Sequence, residues 1–154
     1  MADDEPRLFA DDAAVRRIGE GLLACALARP EWTHEAHIAS CAWLLIERPD
    51  IVPERDLPGL IRRFNESVGG VNSDTEGYHE TITQCFIRGV RGFLACSDAA
   101  LPLVARVNAL LKAPEGRRDW PLRFYSRDLL FSKAARLGWV EPDLAPLPTD
   151  RYSE

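Results

Sequence analysis

The chain has three histidines, and all of them fall in two short segments. Trp32-Thr33-His34-Glu35-Ala36-His37 holds two, and the stretch from Ser73 through Gly77-Tyr78-His79-Glu80-Thr81 to Thr83 holds the third. Histidines at i and i+3 share one face of a helix. His34 and His37 would therefore present two imidazoles side by side, and His79 from a neighbouring helix would complete three nitrogen donors. Such a set suits a divalent transition metal inside a helical bundle (Zn, Fe, Mn, Cu or Ni), with positions left open for substrate or water. Partial positive charge at a helix start disfavours imidazolium and keeps the rings neutral, as ligands must be. The expected site is thus one ion on His34, His37 and His79, with Glu80 as an acid/base group or further ligand and Tyr78 orienting a ligand or a substrate. Glu35 and Glu76 are reserve carboxylates. The spacing His-Glu-x-His is not the zinc-protease His-Glu-x-x-His, whose histidines stand one turn apart. The plainer alternative for any core-facing histidine is a buried ring hydrogen-bonded to the protein.

Helices must position these groups. Asp11 and Asp12 can cap a first helix running to about Ala28, with Val15, Ile18, Leu22, Leu23 and Ala26 inward, before Pro30. Thr33 caps a second, to about Arg48, on which His34, His37, Cys41, Leu44 and Leu45 continue one face. Pro53 opens a third through Leu57, Leu60, Ile61, Phe64 and Val68, stopped by Gly69-Gly70. Ser73 and Glu76 form a capping-box pair that predicts a fourth helix from Ser73 to about Cys96, its inner row His79, Ile82, Phe86, Val90 and Phe93. Gly89 and Gly92 on that helix, one turn apart, mark close approach of another helix. A fifth helix is expected from about Asp98 to Lys112, then short helical pieces from Ser126 and Ser132. Tyr125 and Arg127 lie in irregular chain there, where packing and a surface ion pair explain them without a site role. The proline-rich stretch from Trp139 to Pro148 is too apolar for a free linker and should cross the bundle in extended form. No segment alternates as a strand does. The expectation is an all-α, single-domain bundle of about five main helices over residues 11–154, behind a flexible tail at 1–10.

Composition narrows the class. At 154 residues, 46% hydrophobic and 28% charged, the chain is long enough and apolar enough for one ordinary core. A net charge of −5, with basic pairs such as Arg16-Arg17 and Arg117-Arg118 scattered among acids, speaks against a nucleic-acid surface. No apolar run approaches the ~20 residues of a membrane span. The acidic start, Met-Ala-Asp-Asp-Glu-Pro, is not a secretory signal. Cys25, Cys41, Cys85 and Cys96 occur singly, as buried thiols do in a reducing compartment. These features together predict a cytoplasmic protein.

The Thr33-to-His37 element, the Gly77-Tyr78-His79-Glu80-Thr81 element and the Tyr125-to-Ser132 run resemble a family of short bacterial proteins in which Thr-His-x-x-His precedes Gly-Tyr-His-Glu-Thr. The similarity covers about residues 30–145 and implies a common site without implying an activity. Three functional classes follow. The first is a metal-dependent enzyme acting on a small molecule by hydrolytic, isomerase or oxygen chemistry. The second is a non-catalytic metal or small-molecule sensor. The third is a helical interaction protein with structural histidines. Metal content separates the third from the others, and an enclosed pocket beside the metal separates the first from the second.

Overall fold

In the computed structural model, which describes residues 5–148, the chain is all-α. Five main helices, α1 (Asp12–Ala24), α2 (His34–Glu47), α3 (Pro53–Ser67), α4 (Glu80–Ala95) and α5 (Leu103–Lys112), precede two short ones, α6 (Arg127–Leu130) and α7 (Lys133–Leu137). None of the described helices is long and apolar enough to cross a membrane. The tail positions 1–4 and the chain beyond 148 lie outside the described residues. Within the segment read as a loose tail, Phe9 exchanges two backbone hydrogen bonds with the Asn108 amide, at 2.9 and 3.0 Å.

The centre is α2. Its run Ala36, Ile38, Ala39, Cys41, Ala42, Trp43 and Leu44 is buried on successive faces, and a helix apolar all round belongs inside. α1, α3, α4 and α5 all pack on it. α1 comes closest because Gly19 has no side chain: a Cβ there would lie 2.2 Å from Trp43 Cε3. α1 ends at Ala24, four residues short of the expected Ala28. Cys25 turns into the left-handed region (φ 53), and the Ala26 N–H closes on the Gly21 carbonyl at 2.8 Å. That turn buries Leu27 over Gly21, where a Cβ would sit 2.4 Å from Leu27 Cδ2, and leaves Ala26 exposed instead of inward.

α3 carries Pro58 in its interior, which removes the N–H that would bond the Glu54 carbonyl one turn back. Gln84 of α4 supplies the missing donor, its Nε2 standing 3.0 Å from the Glu54 oxygen. The Arg91 guanidinium grips the Glu54 carboxylate at 2.7 and 2.9 Å, so α3 and α4 are pinned at the same residue.

α4 begins at Glu80, not at Ser73. Gly77 is the reason: its φ is +82, and a Cβ there would meet the Val71 carbonyl oxygen at 2.1 Å. The chain from Asn72 to Tyr78 is a closed loop, with Asn72 Oδ1 accepting the Tyr78 N–H at 3.0 Å. Ser73 Oγ still accepts the Thr75 and Glu76 N–H groups at 3.2 Å each, but it caps a turn and not a helix. Once formed, α4 is buried on two sides. Ile87, Val90 and Leu94 enter the main core, whereas Cys85 packs with Trp120, Phe124, Tyr125, Leu130 and Leu147 in a second one. Gly89 does mark a close approach, but to a side chain: a Cβ there would lie 2.7 Å from Trp120 Nε1. α5 starts at Leu103 because Asp98 holds a turn, Pro102 follows, and the residue before a proline avoids helical backbone. The first turn of α5 is capped from afar, Asp12 Oδ1 accepting the Val104 N–H at 2.8 Å.

The proline-rich stretch packs on this second core, and it bends at Asp143 to Ala145 instead of running straight. Tyr125 donates to the Val140 carbonyl at 2.7 Å, Leu144 N–H bonds the Phe124 carbonyl at 2.9 Å, and Leu147 is buried. Gly89→Ala should therefore lower stability by about 1–3 kcal/mol through overpacking against Trp120. Gly59→Ala, in α3 where a Cβ meets nothing within 4 Å, should raise it by about 0.5–1 kcal/mol. Urea midpoints of the two variants, measured side by side, check both signs.

Candidate functional site

The start of α2 is where the chemistry gathers. The Thr33 hydroxyl accepts the Ala36 N–H at 3.1 Å, and that cap fixes the helix so that His34 and His37 follow at once. His34 Nε2 lies 2.8 Å from the Gly116 carbonyl oxygen, and His37 Nδ1 lies 2.7 Å from that of Thr33. Because a carbonyl only accepts, each of those nitrogens carries the proton. The other nitrogen of each ring, His34 Nδ1 and His37 Nε2, therefore holds a lone pair, and neither has a hydrogen-bond partner among the described residues. Burial pushes the His34 imidazole below its usual range despite the Gly116 bond. Burial takes His37 down to about 4 against the pull of the Thr33 carbonyl, with His34 and Arg118 adding to the effect. Both rings are neutral at neutral pH.

Glu35 is buried at the same turn. Burial would raise its carboxyl, but its own backbone N–H, that of Arg7 at 3.3 Å and the Arg118 guanidinium at 3.8 Å outweigh that and hold it low. Its role is to tie the N-terminal segment and the 116–119 loop to α2.

His79 is placed differently from the expected inner row. It is the N-cap of α4, with Nδ1 accepting the Ile82 N–H at 3.1 Å and Nε2 donating to the Leu130 carbonyl at 2.7 Å. Both nitrogens are spent. Burial depresses its basicity, and Arg136 acts in the same direction. Among the described residues no group of three or more His, Cys, Asp or Glu side chains is arranged to hold a metal ion. The donors His34, His37 and His79 thus do not form a joint set here, because the third is committed to closing a helix end.

Two adjoining cavities lie beside these rings. The first, about 310 Å³, runs between α2, α3 and α4 and is walled chiefly by Ile38, Leu57, Ile61, Ile82, Phe86 and Ile87. Its few polar groups come from His34, His37, Trp32, Cys41, Thr83 and Arg118. The second, about 560 Å³, is more polar and includes Arg29, Glu76, Tyr78 and His79 in its lining. The two share Trp32, His37, Ile61, Ile82 and Thr83. Trp32 and His37 are stacked at the junction, centroids 3.9 Å apart. Trp32 Nε1 is buried there with no hydrogen-bond partner among the described residues.

Tyr78 and Glu80 engage each other: the phenol donates to Glu80 Oε1 at 2.5 Å. Burial and that carboxylate raise the Tyr78 hydroxyl well above its ordinary range, so it keeps its proton. The Arg62 guanidinium covers the ring at 4.5 Å. Glu80 also receives Gln84 Nε2 at 3.4 Å and lines neither cavity. Tyr125 is wholly buried in the second core, and Arg127 is exposed. Sequence reasoning gave no site role to Trp32, Ile82, Thr83 or Arg118. Trp32 stands two residues before His34, which is a local signal, but nothing in the sequence brings Arg118 to the mouth of a cavity 84 positions away from His34 in chain order.

Comparison of the chain with protein-family models, with curated proteins and with solved structures gives no match.

His79→Ala should cost about 1–2 kcal/mol by removing the cap of α4 and stranding the Leu130 carbonyl. It should leave the metal content of the purified protein unchanged, as elemental analysis beside a denaturation curve would record. For His37 the sign follows from linkage. The unfolded imidazole titrates near 6.5 and the folded one at about 4, so the unfolded chain alone takes up the proton across that window. Stability should fall as pH drops from about 6.5 toward about 4, by on the order of 3 kcal/mol from this residue. His37→Gln should flatten the slope in urea melts taken through that range.

Proposed function

We propose that the protein binds a small, largely apolar molecule in the cavity between α2, α3 and α4, as a non-catalytic binding or sensing module. One observation carries this reading: two neutral imidazoles, each with a lone pair free of partners among the described residues, border a cavity whose remaining wall is mostly hydrocarbon. Both histidines are partly exposed, so a ligand hydroxyl would replace solvent at these lone pairs. The volume of about 310 Å³ falls at the lower end of what ligand sites occupy, and apolar walls with few polar groups are the usual composition of such sites.

The geometry favours this over the two rival classes. A metal on all three histidines would need His79 to give up its Ile82 bond if Nδ1 were the ligand, or both its bonds if Nε2 were, which argues against that ion. A purely structural role accounts for His79 but not for the half-used rings of His34 and His37. Tyr78 and Glu80 serve each other, which supports a role in shaping the second cavity more than in acid/base chemistry. All four cysteines are free, and burial pushes the Cys41 and Cys85 thiols up to about 12, so both keep their protons at neutral pH. Free thiols support the assignment to a reducing cytoplasm.

Single-ring probes provide the test. p-Cresol or p-xylene added to the labelled protein should shift the amide resonances of His34, His37, Thr83 and Phe86 saturably. Thr83→Trp, which fills the wall shared by both cavities, should abolish the shifts while the helical circular dichroism persists. Absence of saturable shifts with every probe in the wild type would refute the binding reading.

A further inference from the structure

The chemistry of the cavity wall narrows the ligand class, a step that rests on the binding reading above. We infer that the cavity selects an uncharged planar ring bearing one hydroxyl or N–H donor, a phenol being the simplest case, over hydrocarbons, carboxylates and amines of the same shape.

Shape comes first. Trp32 and Phe86 supply flat surfaces, and their neighbours hold them: Trp32 stacks on His37 at 3.9 Å, and Phe86 meets His34 edge-on at 5.4 Å and 61°. Branched aliphatics from all three helices close the remaining sides. A rigid ring fills such a slot at little conformational cost.

Hydrogen-bonding capacity comes next. The tautomers set by the Gly116 and Thr33 carbonyls make the free nitrogens of His34 and His37 acceptors. A hydrocarbon leaves both nitrogens unanswered. A hydroxyl can donate to an imidazole, so it meets that need with one atom.

Charge settles the rest. Among the described residues no Asp or Glu lines this cavity, so an ammonium would enter without a counter-ion from them. A carboxylate would face two acceptor lone pairs. The one cation in the lining among the described residues is Arg118, which is 69% exposed and already within 3.8 Å of Glu35. Neither ion recovers its desolvation cost there. The low basicity of both histidines also keeps them acceptors throughout the neutral range.

The experiment compares four probes of one shape on the full chain at neutral pH: p-cresol, p-xylene, p-toluate and p-methylbenzylamine, each titrated by amide NMR. p-Cresol should bind about tenfold more tightly than the other three, the size expected for one or two recovered hydrogen bonds. Equal or tighter binding of p-xylene would overturn the donor requirement while leaving the binding reading intact. Tighter binding of p-toluate or the amine would overturn the neutral-ligand assignment. Silence from all four would remove this inference together with the binding reading. The paired variant His34→Leu/His37→Leu should still bind p-xylene and bring the cresol-to-xylene ratio close to one, and an unchanged ratio in it would also overturn the inference. If that variant fails to fold, the wild-type series alone decides.

Discussion

The structure depends on one constraint: α2 is buried on every side, and it starts inside the protein. A helix start carries backbone N–H groups that nothing within the helix can satisfy. Thr33 takes one of them. The three polar side chains of the first turn then reach to backbone groups of other segments or of the cap itself. His34 bonds Gly116, Glu35 accepts from Arg7, and His37 bonds Thr33. The N-terminal segment and the 116–119 loop are held where they are because α2 requires partners from them. In meeting that requirement each histidine uses one nitrogen and keeps the other.

The same logic recurs wherever an element is buried on both faces. α4 stands between two cores, and its end groups are matched from distant chain. The His79 ring caps its first turn and takes the Leu130 carbonyl, while the buried Arg106 donates to the Leu94 carbonyl at its far end. Where α3 loses a backbone donor at Pro58, α4 provides one through Gln84. Such matches leave little slack between α3 and α4. The first cavity lies between these helices and α2.

This bracing gives the cavity its chemistry. The two imidazoles are locked as neutral acceptors by carbonyls that cannot donate, and burial keeps protons off them. Trp32 lines both the apolar cavity and the more polar one and stacks on His37. A site of this kind is preorganised: its polar groups are oriented before anything binds, so little ordering cost remains to be met on binding.

Much of this was legible in the chain. Hydrophobic periodicity, Thr33 before a helical run, Pro53 at a helix start and Gly69 at a helix end are local signals, and local backbone sterics decide them. They determined an all-α fold, five main helices and the placing of His34 and His37 on one helix start. Tertiary structure decided what local signals could not. Ser73 and Glu76 satisfy the pattern of a capping box, yet Gly77, left-handed against the Val71 carbonyl, passes the cap to His79. That transfer consumed the third histidine, and no window of sequence around Ser73 contains the Leu130 carbonyl that completes it. The end of α1 moved for a similar reason, because burying Leu27 over Gly21 outweighed four more residues of helix. Spacing along a helix reports which side chains share a face. Which lone pairs stay free depends on carbonyls delivered from 51 or 82 positions away, and only the folded chain brings them there.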